Sequence, residues 1–238
     1  VDHMLADESA GRLTIGDQDI TVTNAITVDQ ANLLTATTSG VVTATIATTE
    51  TVTELTTLVE HGTNNVDAAL TIVIRAADAT ACTAAQLNTI NAATSVLVDL
   101  TNVIVLAASN LTDLATLHTN RAGFSNTSNI ATINLTNDGG GSNSHVDFDT
   151  LHSVIVNYKN NINTSVSFVP HTADTIDIDS SNELTDFLTH ISNDNLTLSN
   201  QSITVDSSVA VSVANAKSLA ADTSGTVTAT IDTTALVT

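Results

Sequence analysis

With 238 residues, 42% of them hydrophobic, the chain is long enough to bury a core; aromatic residues are only 2% and Trp is absent, so that core is built from small aliphatic side chains that suit thin, regular layers. Five Lys+Arg against 25 Asp+Glu leave a formal net charge of −20, which excludes nucleic acid and anionic membrane surfaces as partners, because phosphate binding needs cations. One cysteine, Cys82, excludes an intramolecular disulfide, and the longest apolar runs are too short for membrane insertion.

In chain order, Val1-Asp2-His3-Met4 reads as a cloning scar, and residues 1–10 as a lead-in to one domain over 11–238. The first patterned segment runs from Ile26 to Leu34. It is followed by Thr38-Ser39-Gly40-x-Val42-Thr43-Ala44-Thr45-Ile46-x-Thr48-Thr49. Val52, Leu55, Leu58 and Val59 then stand at helical spacing. Alternating β-branched runs predict strands over 70–74, 102–106, 131–135, 175–178 and 202–205, with shorter extended runs at 96–98, 166–169 and 196–198. Thr83, Asn110, Ser144, Ser181 and Ser208 are read as N-caps, each ahead of helical periodicity. The helices behind them carry Leu87 and Ile90; Leu111, Leu114 and Leu117; Phe148, Leu151, Val154 and Ile155; and Leu184, Phe187, Leu188 and Ile191. The chain closes on Thr223-Ser224-Gly225-x-Val227-Thr228-Ala229-Thr230-Ile231-x-Thr233-Thr234, a second copy of the string at residue 38.

A match that long makes the two ends equivalent parts of one repeating unit. Polar stops at Ser39-Gly40, Asn64-Asn65, Thr94-Ser95, Ser128-Asn129, Thr164-Ser165, Asp194-Asn195 and Ser224-Gly225 mark a period of roughly thirty residues. Strand, loop, helix and return loop make a parallel connection. Repeated, it predicts a right-handed α/β solenoid with a parallel sheet, one or two strands and a helix per turn, leucine-rich-repeat-like in architecture without the Leu-rich strand motif. A pair of β-sandwiches with a helical insert fits less well, since strands and helices alternate throughout. The last unit stops on consensus at Leu236-Val237-Thr238, so the array is expected to continue beyond this chain.

Ala84-Ala85-Gln86-Leu87-Asn88-Thr89-Ile90 and the repeated Thr-Ser-Gly string resemble repeats of very large cell-surface and exported proteins of cyanobacteria and other marine bacteria, some S-layer-like, some calcium-binding type I secreted adhesins. The resemblance implies an extracellular or cell-surface location. It also implies a non-catalytic structural role as surface layer or spacer, and neighbouring repeats of the same array as partners. The alternative is an adhesin-type module for glycan, calcium or other surface proteins.

The best local candidate is the loop Asp138-Gly139-Gly140-Gly141 to Asp149. Its glycines let the backbone wrap an ion, and Asp138, Asp147 and Asp149 offer hard oxygens suited to calcium, against the plainer reading of a flexible loop before a capped helix. Asp174, Asp177, Asp179 and Asp186 form a second acidic group, read as the solvated face of a half-buried strand. The seven histidines include no His-Glu-x-x-His, and His118, His152 and His190 are placed late in their helices, where the dipole suits partial positive charge. Cys82 reads as a buried, inert thiol, and the Ser and Thr residues lack a paired base. No cofactor and no enzymatic activity are expected.

Overall fold

A computed structural model describes residues 1–59, 67–136 and 145–232. The protein is an α/β fold in which helices alternate with several small parallel sheets. It divides into two compact units, Val1–Val105 with Thr119–Asn129, and Leu106–His118 with Ile130–Thr238.

The first unit begins with α1 (Asp2–Ser9), β1 (Ile20–Thr21), α2 (Val28–Thr37), β2 (Val41–Thr45), α3 (Val52–Leu55), β3 (Asp67–Thr71), α4 (Ala84–Ala92) and β4 (Val98–Asp99). Next along the chain come β5 (Val105–Ser109), α5 (Leu111–Thr119) and β6 (Phe124–Ser125). The second unit continues with β7 (Thr132–Leu135), β8 (His145–Asp147), α6 (Phe148–Asn161), β9 (Ser167–Val169), β10 (Thr175–Ile178) and α7 (Ser181–Ser192). It ends with β11 (Ser202–Val205), β12 (Ala210–Val211), α8 (Val213–Asp222), β13 (Val227–Thr228) and β14 (Thr230–Ile231).

In the first unit the sheets are β1-β2-β3 and β4-β6, and in the second β13-β11-β10-β8 and β12-β14; β5-β7-β9 forms a further sheet. Pairing is parallel and in register from one strand to its counterpart after the next helix: Val42 lies beside Ile20 and Ala68, and Ile203 beside Ile176 and Val227. The sequence leads one to expect a parallel sheet along the chain. Instead the sheets are separate and small, because most strands are only two to five residues long and the loops between them differ in length.

Alternation explains the burial. In β10, Ile176 and Ile178 are fully buried while Thr175 and Asp177 are half-buried. On the helices, Leu87 and Ile90 of α4, Leu114 and Leu117 of α5, and Leu184 and Phe187 of α7 face the core. Each such side chain contributes about 1.5–3 kcal/mol on burial. Thr83 caps α4 in a reciprocal box with Gln86, and Asn110 accepts the Asp113 amide at 2.7 Å.

Several boundaries differ from expectation. The strands predicted over 70–74 and 102–106 lie at Asp67–Thr71 and Val105–Ser109. In the run over 196–198 only Leu196 forms a bridge, to Phe168. The cap of α7 is Ser180, not Ser181, and the cap of α8 is Ser212, not Ser208. Ser208 is instead drawn into a turn by the Asp206 carboxylate, which accepts its amide at 2.7 Å. The expected cap Ser144 and the stop at Asn64-Asn65 lie outside the described residues; α6 is capped by Asp147. Val59, expected on a buried helical face, is exposed.

Several of the polar stops hydrogen-bond back to the preceding strand or the segment just before it. After α2, the Thr38 hydroxyl donates to the Gln18 carbonyl at 2.6 Å and accepts from the Gly40 amide at 2.9 Å. After α8, the Thr223 hydroxyl donates to the Gln201 carbonyl at 2.6 Å and accepts from the Gly225 amide at 2.9 Å. Thr94 does the same after α4, donating to Leu70 O and accepting from Leu70 N, both at 2.8 Å. Near two later stops an asparagine amide makes the corresponding bond, Asn129 donating to Thr101 O and Asn163 to Ile130 O, both at 2.8 Å. Glycine follows Thr-Ser twice for a steric reason: a Cβ on Gly40 or Gly225 would lie 2.5 Å or 2.2 Å from the backbone oxygen of Gln18 or Gln201.

Candidate functional site

The sheet β8-β10-β11 gathers the polar chemistry of the second unit. Register sets Asp177 beside Asp147 on one side and Thr204 on the other, with Thr175 beside His145. His145 Nδ1 lies 2.7 Å from Asp177 Oδ2, a diagonal cross-strand ion pair when the imidazole is protonated. The buried Ile176 and Ile178 fit a half-buried strand, but of the four acids read as its solvated face Asp174 is buried and Asp186 lies on α7. Asp179, exposed at the end of β10, has its carboxyl pushed up by desolvation and then by the charges of Glu183, Asp177, Asp206 and Asp147. Asp206 is held below the usual carboxylate range by hydrogen bonds from the Ser208 side chain and amide.

Of the calcium candidates, Asp138 lies outside the described residues. Asp147 is engaged at the helix start: Oδ1 accepts the Asp149 amide at 3.2 Å and Oδ2 the Thr150 hydroxyl at 3.0 Å. Asp149 is exposed in the first turn of α6. Among the described residues no three His, Cys, Asp or Glu side chains form a group able to hold a metal ion. Asp174 is fully buried and its carboxylate accepts the His171 amide at 3.0 Å, closing the turn before β10. Asp186 is exposed on α7.

Sequence spacing gave no hint of a directed chain of hydrogen bonds between α6 and α7. Lys159 donates to Asn195 Oδ1. The Asn195 amide then faces His190 Nδ1 at 3.4 Å, and His190 Nε2 lies 3.0 Å from His152 Nδ1. With Nδ1 accepting, the His190 proton sits on Nε2 and is donated to His152. A second proton on His190 would face the Asn195 amide hydrogens. Desolvation, and after it the neighbouring His152, lowers the His190 pKa to about 4. The expectation that all three histidines lie late in their helices holds for His118 and His190; His152 sits early in α6, one turn after Phe148.

The aromatic residues are core. Phe148 meets Phe187 edge-on at 5.2 Å, Tyr158 meets Phe168 at 5.7 Å, and all four are fully buried, with Phe124 7% exposed. No aromatic face is therefore left for a sugar to stack on. The Tyr158 hydroxyl donates to Leu114 O at 2.9 Å, which satisfies its buried polar end. Cys82 is fully buried, and desolvation, with Asp78 nearby, pushes its thiol up to about 12. A groove of about 590 Å³ between α7 and α8 is lined by Thr185, Thr189, Ser192, Asn215, Ser218 and Asp222 among others. Among the described residues no helix is long and apolar enough to cross a membrane.

Sequence reasoning identified the polar stops but missed what they do. The signal was present: Thr-Ser recurs after α2, α4 and α8, and a Thr hydroxyl can both donate to an earlier carbonyl and accept from a nearby amide. The His152–His190 pair left no such trace, since its members stand on different helices 38 residues apart. No protein-family model, no curated protein and no solved structure matches the chain.

Proposed function

We propose that this chain is a non-catalytic structural repeat module of a bacterial cell-surface or secreted protein, acting as surface layer or spacer. Its turns stack as a right-handed, leucine-rich-repeat-like solenoid. The observation that carries this reading is that one string, at residues 38–49 and again from 223, makes the same hydrogen bonds to the preceding turn at both places, with Gln18 and Gln201 as acceptors. A joint used twice with the same atoms is a unit of construction: each turn offers its successor the surface it received from its predecessor. The net charge of −20 keeps such a module soluble in a saline exterior. Buried aromatics and an inert thiol favour shape and charge as its chemistry.

Antibody raised against this chain, applied to intact cells of the source organism, tests the reading. Labelling before lysis is expected. Labelling only after lysis, with the protein in the soluble cell extract, refutes it.

A further inference from the structure

Two imidazoles and an amide fill the space between α6, α7 and the segment that leaves α7. His190, in the last turn of α7, and Asn195, just beyond it, are 7% and 5% exposed. Both histidine rings pack on Phe148, with centroids 5.8 Å (His152) and 6.2 Å (His190) from it. Asp194 turns the chain at a positive φ of 56°. The Asn195 backbone amide then donates to His190 O at 2.9 Å, and its carbonyl accepts from the Phe168 amide at 2.9 Å. The Thr197 amide donates to Phe168 O at 2.8 Å. Residues 195–197 are thus tied to α7 and β9 by backbone, and to α6 through the Lys159 side chain. An ammonium has no lone pair, so Lys159 fixes the direction of the whole chain. It claims Asn195 Oδ1; the side-chain nitrogen of Asn195 faces His190 Nδ1, which must accept; His190 donates from Nε2 to His152 Nδ1. One further proton fits nowhere. On His190 Nδ1 it meets the Asn195 N–H groups, and turning that amide over would set the same groups against Lys159. On His152 Nδ1 it meets the His190 Nε2–H, and moving that hydrogen to His190 Nδ1 returns the clash to Asn195.

We propose that Lys159, Asn195, His190 and His152 form an acid-released latch: with both imidazoles neutral it holds residues 195–197 and the last turn of α7 against α6, and one proton on the pair opens it. The helices packed on α7 are α6 and α8. α6 presents His152 and Lys159 to His190, and α7 itself presents Asp186, four residues earlier. α8 lies along the far side of α7, where Asp222 lines the groove with Thr185, Thr189 and Ser192. β9, Ser167–Val169, carries no titratable side chain. Of these groups only the exposed Asp186 favours a charge on His190; burial first, and then His152, lower its pKa to about 4. An opened His190 returns toward its ordinary value of 6.5 and so binds more protons than a closed one. The latch is therefore complete above about pH 6.5 and is lost as the pH falls toward 4.

Amide hydrogen exchange of the full chain, read by mass spectrometry from pH 7 to pH 4.5 and corrected for the intrinsic rate at each pH, tests this. Opening at residues 195–197 is expected to rise by on the order of ten- to a hundredfold over that range, as linkage to one proton requires. α4, in the first unit, is expected to hold its protection. His190→Gln is expected to flatten the rise. Lys159→Met frees the Asn195 amide to turn over and accept from a protonated His190, so it is expected to keep the segment closed at pH 4.5. Loss of an ordinary structural contact would instead leave the segment more open at every pH. Should His190→Gln lose its native circular dichroism, the lysine variant alone decides. Protection at 195–197 that is indifferent to pH, that falls equally in α4, or that falls as steeply in Lys159→Met as in wild type overturns the proposal.

Discussion

Replacing Thr94 with Val removes one hydroxyl and keeps the shape. That hydroxyl donates to Leu70 O and accepts from Leu70 N, both at 2.8 Å, and accepts from Val96 N at 3.1 Å. Thr94 is 7% exposed, so the groups it leaves behind do not regain water freely. A buried donor left unsatisfied costs about 1–3 kcal/mol, and here a strand amide and its carbonyl lose their partner together, which puts Thr94→Val at about 2–4 kcal/mol. At about 2–4 °C per kcal/mol for a chain of this size, the melting temperature falls by roughly 5–15 °C. Thr94→Ser keeps the hydroxyl, loses one methyl and is expected to cost about 1 kcal/mol. The assay is thermal and urea unfolding of both variants beside wild type. Equal stability of the Val and Ser variants would refute the idea that this hydroxyl joins one turn to the next.

Other outcomes follow from the same geometry. Gly40→Ala sets a Cβ 2.5 Å from the Gln18 backbone, so it is expected to destabilise by about 1–3 kcal/mol in urea unfolding, whereas the same change at Gly11, with nothing near, costs only backbone strain. His190 has a folded pKa lowered from 6.5 to about 4. The unfolded chain therefore binds more protons between these values, and the stability contributed by neutral His190 is complete above about pH 6.5 and lost as the pH falls toward 4. After allowance for screening this is about 1–2 kcal/mol. Urea midpoints at pH 7 and pH 4.5 should differ less in His190→Gln than in wild type. Cys82 should react with an aromatic disulfide reagent only on unfolding, with no native-state burst, as burial and a thiol pushed up to about 12 require. Burst labelling would contradict that burial.

What could be read from the sequence follows from the range of the forces involved. Strands at Thr175–Ile178 and Ser202–Val205 match their expected runs because alternation with period two is local and each β-branched side chain has its burial set by its neighbours. The caps Thr83 and Asn110 were legible for the same reason. Ser208 misled because Asp206, two residues earlier, competes for the same backbone; Ser180 and Ser181 stand side by side, and only strand register decides between them. The lateral hydrogen bonds were the part no local pattern holds. Asp147 looks like a calcium ligand beside glycines, but the first turn of α6 claims both of its oxygens, one through the Asp149 amide and one through the Thr150 hydroxyl. The chain from Lys159 to His152 needs α6 beside α7 before any of its residues has a role. The repeat itself was visible at both ends, and the differing exposure of Ile46 and Ile231 was not, since identical strings carry no record of what lies beside them.

If the protein is a stack of turns, each held to the last by strand pairing and a hydroxyl or amide joint, its opening is graded along the chain. Native-state hydrogen exchange resolved by turn measures this most directly. The account predicts that amides of β13 and β14 open at lower free energy than those of β10 and β11, and that Thr223→Val loosens the last turn without changing protection in α6. A single common opening free energy for all of these amides, shifted equally by Thr223→Val, would contradict it.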